Sequence, residues 1–64
     1  MRLTEFWARM REQFGDAYSV SVAKDHVFAR LGDKTIEQAL AEGQNPKTVW
    51  RAVTEEFEVP RHLQ

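Results

Sequence analysis

Four residues in the middle of the chain have the side-chain types that nucleophilic catalysis uses: Ser19, Ser21, Asp25 and His26. A serine hydroxyl can attack a carbonyl carbon when a histidine accepts its proton and a carboxylate orients that histidine. The segment is predicted to be helical, so Asp25 and His26 point about 100° apart and the carboxylate cannot orient the imidazole. Ser19 lies two turns from His26, and Ser21 lies off its helical face, so both hydroxyls are beyond hydrogen-bond reach. We therefore expect no enzymatic activity and assign no catalytic residue.

The sequence offers neither a cluster of metal ligands nor a cofactor-binding loop. It contains no cysteine, and its two histidines, His26 and His62, lie in a predicted helix and in the C-terminal tail. Its three glycines are scattered, so a glycine-rich phosphate-binding loop is absent. We expect no metal, cofactor or small-molecule substrate. We expect His26 to be partly buried, with one ring nitrogen bonded to a carbonyl or carboxylate oxygen.

Two tryptophans are candidates for anchoring a partner. Trp7 follows Phe6 and Trp50 follows Val49, so each indole has a large apolar neighbour about 100° away around its helix. Both members of such a pair do not easily reach one small core. We expect either Trp7 or Trp50 to be partly exposed and to bind a protein partner or a second copy of the chain, with Arg51 on the same surface. The alternative is that both indoles lie at the edge of a thinly covered core.

Residues 35–57 have the layout of a helix-turn-helix motif, in which a short helix, a glycine turn and a longer helix follow one another. Ala39, Gly43 and Val49 occupy spacings that this motif favours. In a DNA-binding version the longer helix would enter the major groove, where basic side chains pair with guanine edges. The residues predicted to contact DNA are Lys47, Thr48 and Arg51.

Other residues of the same segment favour a plain helical hairpin. Polar side chains stand where the DNA-binding motif usually has apolar ones, namely at Gln38, Glu42 and Gln44. Carboxylates near the end of the longer helix would repel phosphates, namely those of Glu55, Glu56 and Glu58. We therefore keep DNA binding as the alternative to protein binding.

Charge and composition limit the possible binding partners and the possible cellular compartment of the protein. Nine basic and ten acidic residues give a formal charge of −1, which provides no global attraction for nucleic acid or anionic lipid. The absence of cysteine fits a reducing compartment, so we expect a cytoplasmic protein. Charged residues interrupt the apolar pattern of residues 1–14, and no apolar run is long enough to span a membrane.

Apolar residues recur at intervals of three and four, which predicts one all-α domain over residues 1–64, a small bundle of three to four short helices. The predicted helices span residues 5–14, 17–31, 36–42 and 46–57. Predicted N-caps are Thr4, Asp16, Thr35 in a capping box with Gln38, and Asn45 followed by Pro46. Predicted stops are Gly15, Gly32, Gly43 and Pro60. The second helix is predicted to be central and well buried, through Tyr18, Val20, Val22, Ala23, Val27, Phe28 and Leu31.

Four motifs, taken together, resemble those of a known family. They are MRLTEFW at residues 1–7, FGxAY at 14–18, AxDHV at 23–27 and PKxVWRAV at 46–53. The chain resembles an uncharacterised actinobacterial family of about this length, a domain of unknown function, over nearly its whole length. The resemblance implies a small cytoplasmic helical protein with a link to DNA recombination or repair. It implies no catalytic or binding residue.

Overall fold

The computed structural model describes residues 1–58, which form four α-helices and one short 3₁₀ turn. Helix α1 spans Leu3–Phe14, α2 Asp16–Asp25, α3 Ile36–Ala41 and α4 Pro46–Phe57, and the 3₁₀ turn Ala29–Leu31 lies between α2 and α3. The all-α bundle predicted from the sequence is confirmed. The predicted stop at Pro60 and the second histidine, His62, lie outside the described residues.

A single residue, Gly15, joins α1 to α2. It adopts φ 84° and ψ 161°, and it is the C-cap of the first helix and the N-cap of the second. Its N–H donates to the carbonyl of Arg11 at 2.8 Å, and its own carbonyl accepts from the N–H of Ser19 at 3.0 Å. The stop predicted at Gly15 is therefore confirmed. The predicted cap at Asp16 is wrong by one position, because Asp16 is already the first residue of α2.

The start of α1 also differs from the prediction. The helix begins at Leu3, two residues before the predicted start, and its N-cap is Arg2 in an extended conformation without a side-chain capping bond. Thr4 therefore lies inside the first turn and does not cap it. The backbone N–H of Phe6 donates to the carbonyl of Arg2 at 3.0 Å, which extends the helical bonding to the earlier start.

Helix α2 ends six residues earlier than predicted. The backbone of His26 is extended, with φ −84° and ψ 125°. The chain then reverses: the N–H of Phe28 donates to the carbonyl of Lys34 at 2.9 Å, and Gly32 closes the 3₁₀ turn in the left-handed conformation. This reversal buries Phe28 and Leu31 in the core. The sequence pattern could not reveal the break, because both residues also fit a helical period.

The predicted buried face of α2 is consequently wrong in part. Val22 and Ala23 are buried, but Tyr18, Val20 and Val27 are more than half exposed. With the helix ending at Asp25, Val27 no longer continues the face of Ala23. Helix α2 therefore has a narrow buried side and lies at the surface of the bundle.

Helices α3 and α4 follow the sequence signals closely. The capping box is formed: the N–H of Gln38 donates to Oγ1 of Thr35 at 3.2 Å, and the N–H of Thr35 donates to Oε1 of Gln38 at 2.9 Å. Asn45 caps α4 by accepting from the N–H of Lys47 at 2.9 Å, with Pro46 at the first helical position. The bounds of α4 are those predicted, and α3 ends one residue early.

One core unites the helices. Its largest fully buried side chains are Phe6, Met10, Phe28, Ile36, Val49 and Val53. Half-buried side chains packed against it are Trp7, Phe14, Leu40 and Phe57. Val49 and Trp50 are both buried, contrary to the expectation that one of this pair would be exposed. The pairing of α1 with α4 makes this possible, because Phe6 packs edge-on against the Trp50 ring.

Candidate binding groove between α1 and α4

An open groove of about 470 Å³ runs between the first and the last helix. Its α1 side is formed by Met1, which precedes the helix, and by Glu5 and Arg9, which are four residues apart and so share one face of α1. Its α4 side is formed by Lys47, Trp50, Arg51 and Thr54, which share a face for the same reason. The volume lies within the range of pockets that hold a drug-sized ligand or a few side chains.

Basic side chains dominate the lining. Arg9, Lys47 and Arg51 carry positive charges, and among the lining residues that the structure describes Glu5 carries the only negative charge. Arg9 neutralises that carboxylate, since its Nη2 lies 2.8 Å from Oε2 of Glu5. Lys47 and Arg51 of α4 thus contribute two further positive charges, while the carboxylate of Glu5 is already paired with Arg9. The groove has a basic character although the whole chain carries a formal charge of −1.

Trp50 forms part of the lining and is nonetheless almost completely buried, with 3% of its surface exposed. Its Nε1 is a buried donor that has no hydrogen-bond acceptor among residues 1–58. An unsatisfied buried donor typically destabilises a fold by about 1–3 kcal/mol. Because Trp50 also lines a basic groove, this unpaired N–H is chemically suited to donate a hydrogen bond to an oxygen atom from outside the chain.

The structure brings together some of the residues singled out from the sequence and separates others. Lys47, Trp50 and Arg51 line one groove. Trp50 and Arg51 were predicted to bind a protein partner, and Lys47 and Arg51 were predicted to contact DNA in the alternative. Trp7 is half-buried and does not line it; its ring packs against Phe6, with centroids 5.1 Å apart. Thr48 is exposed on α4 outside the lining. Trp7 is thus the partly exposed tryptophan of the two, while Trp50 is the one in the groove.

Sequence analysis missed the α1 wall of the groove. The spacing of Glu5 and Arg9 places them on one face of the predicted first helix, and that much is readable from the sequence. That this face borders α4 depends on which helices pack together, and local periodicity does not contain that information.

The sequence model of one family, described as a protein of unknown function, DUF3046, matches residues 1–62. The chain belongs to the DUF3046 family. Neither the comparison with curated proteins nor that with solved structures found a match. In the described part of the DUF3046 chain, the helices are too short or too polar to cross a membrane.

Residues 35–57 of the DUF3046 chain, for which the sequence predicted a helix-turn-helix layout, begin with a segment that polar contacts hold in place. Gln44 donates to Oε1 of Glu42 at 2.7 Å and more weakly to the carbonyl of Leu31 at 3.4 Å, while Lys34 binds the same Glu42 carboxylate. The hydrogen bonds from Lys34 and then from Gln44 hold the pKa of Glu42 below its ordinary value of 4.5. The polar residues that weakened the DNA-binding interpretation, including Gln38 in its capping box, therefore have structural roles here.

The carboxylates near the end of α4 also have partners. Nη1 of Arg30 lies 2.7 Å from Oε2 of Glu55, and Nε2 of His26 lies 3.7 Å from Oε1 of Glu56. Arg30 thus offsets one of the charges that would repel nucleic acid. Glu58, the C-cap of α4, is exposed.

A second, smaller concavity of about 230 Å³ contains most of the residues first considered for catalysis. Ser21, Asp25 and His26 line it together with Tyr18 and Val22. Ser21 and His26 thus border one concavity, in which His26 follows the end of α2. Even so, no hydrogen bond joins the serine, the aspartate and the histidine within residues 1–58.

The surroundings of His26 and Ser19 explain what these side chains do. The imidazole packs against Phe28 and Phe57, with centroids 4.6 Å and 5.0 Å apart, and its Nε2 is buried without a hydrogen bond in the described residues. The expected burial is confirmed, but Glu56 is too distant for the expected hydrogen bond. Ser19 is buried and its Oγ donates to the carbonyl of Asp16 at 2.9 Å. Its hydroxyl proton is therefore already engaged by the backbone.

Proposed function

We propose that the DUF3046 chain is a non-enzymatic helical interaction module that binds a segment of a partner protein in the groove between α1 and α4. The observation that carries the proposal is that Lys47 and Arg51 line one concave surface together with Trp50, a residue whose buried Nε1 has no hydrogen-bond partner among residues 1–58. Arginine is one of the residue types most often found to dominate the energy of protein interfaces, and Arg51 is exposed. We place the module in the cytoplasm of an actinobacterium, a setting supported by the cysteine-free sequence and the family resemblance.

The shape of the site favours a protein partner over duplex DNA. Helix-turn-helix proteins insert a protruding helix into the major groove, whereas Lys47 and Arg51 line a concavity that also contains the carboxylate of Glu5. Single-stranded nucleic acid is held by stacking of bases on exposed aromatic rings. Trp50 has 3% of its surface exposed and offers no such ring face.

DNA binding remains the alternative, with Lys47, Thr48 and Arg51 as its contact residues and recombination or repair as its setting. All three side chains are exposed within the first two turns of α4. The pairing of Arg30 with Glu55 at 2.7 Å supports this alternative, because it removes one repulsive charge from the same helix. The alternative requires binding to duplex that weakens steeply as salt is raised.

The proposal is tested by capture with matched charge-reversal variants. The tagged chain, the groove variant Lys47→Glu/Arg51→Glu and the control variant Arg11→Glu/Lys24→Glu are used as baits in extracts of the native organism. Arg11 and Lys24 are exposed and lie outside the groove lining, so the control changes the net charge equally. Circular dichroism first establishes that all three are folded. A captured protein is then purified and its Kd for each bait is measured.

The proposal predicts one protein that binds the unmodified chain and the control, and that binds the groove variant at least about tenfold more weakly. Equal binding by all three baits, or the absence of any specific protein, would overturn it. Capture that nuclease treatment abolishes would replace it with DNA binding. Sedimentation of the chain alone tests whether the partner is a second copy, in which case the groove variant would be the less associated form.

A further inference from the structure

The charges and the spacing of the residues that line the groove indicate the chemistry of its occupant. This inference rests on the proposed function. We propose that it binds an acidic segment of the partner protein through two carboxylates spaced about one helical turn apart. Lys47 and Arg51 each hold one carboxylate, and the Nε1–H of Trp50 donates a hydrogen bond to one of their oxygens.

The charges of the side chains that line the groove favour an acidic occupant. The lining contains three cationic side chains and one carboxylate, and that carboxylate, Glu5, is bound by Arg9 at 2.8 Å. Neither Lys47 nor Arg51 has a carboxylate partner among residues 1–58. Two positive charges thus line the groove without an ion-pair partner in the part of the chain that the structure describes. An occupant with two negative charges would neutralise them.

The spacing of these cations favours two carboxylates over one phosphate. Lys47 and Arg51 are four residues apart on α4, so their Cα atoms are separated by about 6 Å along the helix axis. Acidic residues at positions i and i+4 of a bound helix, or i and i+2 of an extended segment, have a similar spacing. A single phosphate would need donors converging on one point. The backbone N–H that such sites often use is engaged here, because Lys47 N–H donates to Asn45 at 2.9 Å.

The buried indole supplies an independent observation. Trp50 lines the groove, and only 3% of its surface is exposed. Its Nε1–H has no hydrogen-bond acceptor in the described chain. A carboxylate oxygen satisfies that donor through a charge-assisted hydrogen bond, which is about twice as strong as a neutral one. A rearrangement of the groove on binding is part of the proposal, because Nε1 is buried in the unbound chain.

The test uses synthetic peptides and the two indole N–H signals of the full chain in nitrogen-15 spectra. The first peptide is a soluble helical peptide with two glutamates at i and i+4. The second has glutamines in their place, and the third has one phosphoserine and no glutamate. The variant Trp7→Phe assigns the remaining indole signal to Trp50. Lys47→Gln and Arg51→Gln are compared with Lys24→Gln, an exposed control outside the groove.

We expect the glutamate peptide to shift the Trp50 indole signal in a saturable way and to leave that of Trp7 in place. Lys47→Gln and Arg51→Gln should each weaken binding about tenfold, and Lys24→Gln should change it less than about twofold. Equal binding of the glutamine peptide, no shift with any peptide, or binding of the phosphoserine peptide alone would each overturn the inference. If the captured partner depends on the groove while the glutamate peptide fails, the proposed function stands and only this inference falls.

Discussion

Phe6 lies edge-on against Trp50, with ring centroids 6.0 Å apart and ring planes at 87°. On its other side Phe6 contacts Trp7 in the same manner, with centroids 5.1 Å apart. The ring of Phe6 is fully buried, so it joins α1 to the helix that carries most of the groove. The wall containing Trp50 is thus held in place by a side chain that does not itself line the groove.

The first prediction concerns this aromatic contact. Phe6→Leu should lower the free energy of unfolding by about 1–2 kcal/mol, because it removes buried surface and two edge-to-face contacts. Val20→Ala is the matched control: Val20 is 59% exposed, so its truncation should cost less than about 0.5 kcal/mol. Urea unfolding followed by circular dichroism measures both. Equal effects of the two substitutions would show that Phe6 is not a principal core residue.

The second prediction compares two glycines with different backbone conformations. Gly15 has φ 84° and ψ 161°, a region that only glycine readily occupies, whereas Gly32 has φ 83° and ψ 38°, which asparagine also tolerates. A Cβ at either position would have no other atom within 4 Å, so the cost of substitution comes from the backbone. Gly15→Asn should destabilise the fold by about 1–3 kcal/mol, and Gly32→Asn by less than about 1 kcal/mol. Thermal melting should rank them in that order, and the reverse ranking would contradict it.

The third prediction tests the capping box at the start of α3. Thr35→Ala removes the oxygen that accepts from the N–H of Gln38, and should lower the free energy of unfolding by about 1 kcal/mol. Thr35→Ser keeps that oxygen and should retain most of the stability. Denaturant midpoints of the two variants give the comparison. If serine is as harmful as alanine, the capping bond is not what Thr35 contributes.

The fourth prediction follows from the environment of Glu42. Hydrogen bonds from Lys34 and Gln44 lower its pKa in the folded chain below the ordinary 4.5, so the folded state favours the charged form. Its contribution to stability is therefore complete above that ordinary value, and it is lost as the pH falls through the lower pKa of the folded state. Glu42→Gln should remove this part of the pH dependence. Unfolding measured across the acidic range should show the two proteins converging in stability as the pH falls, and a constant difference would contradict the assignment.

Signals that act within a few residues were readable from the sequence. The Thr35–Gln38 capping box, Asn45 with Pro46 and the stop at Gly15 all lie in the structure where the sequence placed them. Each depends on bonds between a side chain or glycine and its neighbouring backbone, so no knowledge of the tertiary fold is needed. This is why the start of α4 at Pro46 could be predicted to the residue.

Apart from the N-caps at Thr4 and Asp16, the features that were mispredicted depend on contacts between distant residues. The end of α2 at Asp25 is decided by the reversal that pairs Phe28 with Lys34 and buries Leu31, and the helical spacing of apolar residues conceals it. The groove was not predicted, although three residues that line it, Lys47, Trp50 and Arg51, had been singled out from the sequence for other reasons. Its α1 wall could not be predicted, since it depends on the packing of α1 against α4.

The single-residue connection at Gly15 has a kinetic consequence. Helices joined by such a short link meet without a long loop having to close, so their association carries little loop-closure entropy. The α1–α2 hairpin should thus form early in folding, while α4, whose partner α1 lies more than thirty positions earlier in the chain, docks later. Core substitutions at the α1–α2 contact should then mainly slow refolding, whereas Val53→Ala in α4 should mainly accelerate unfolding.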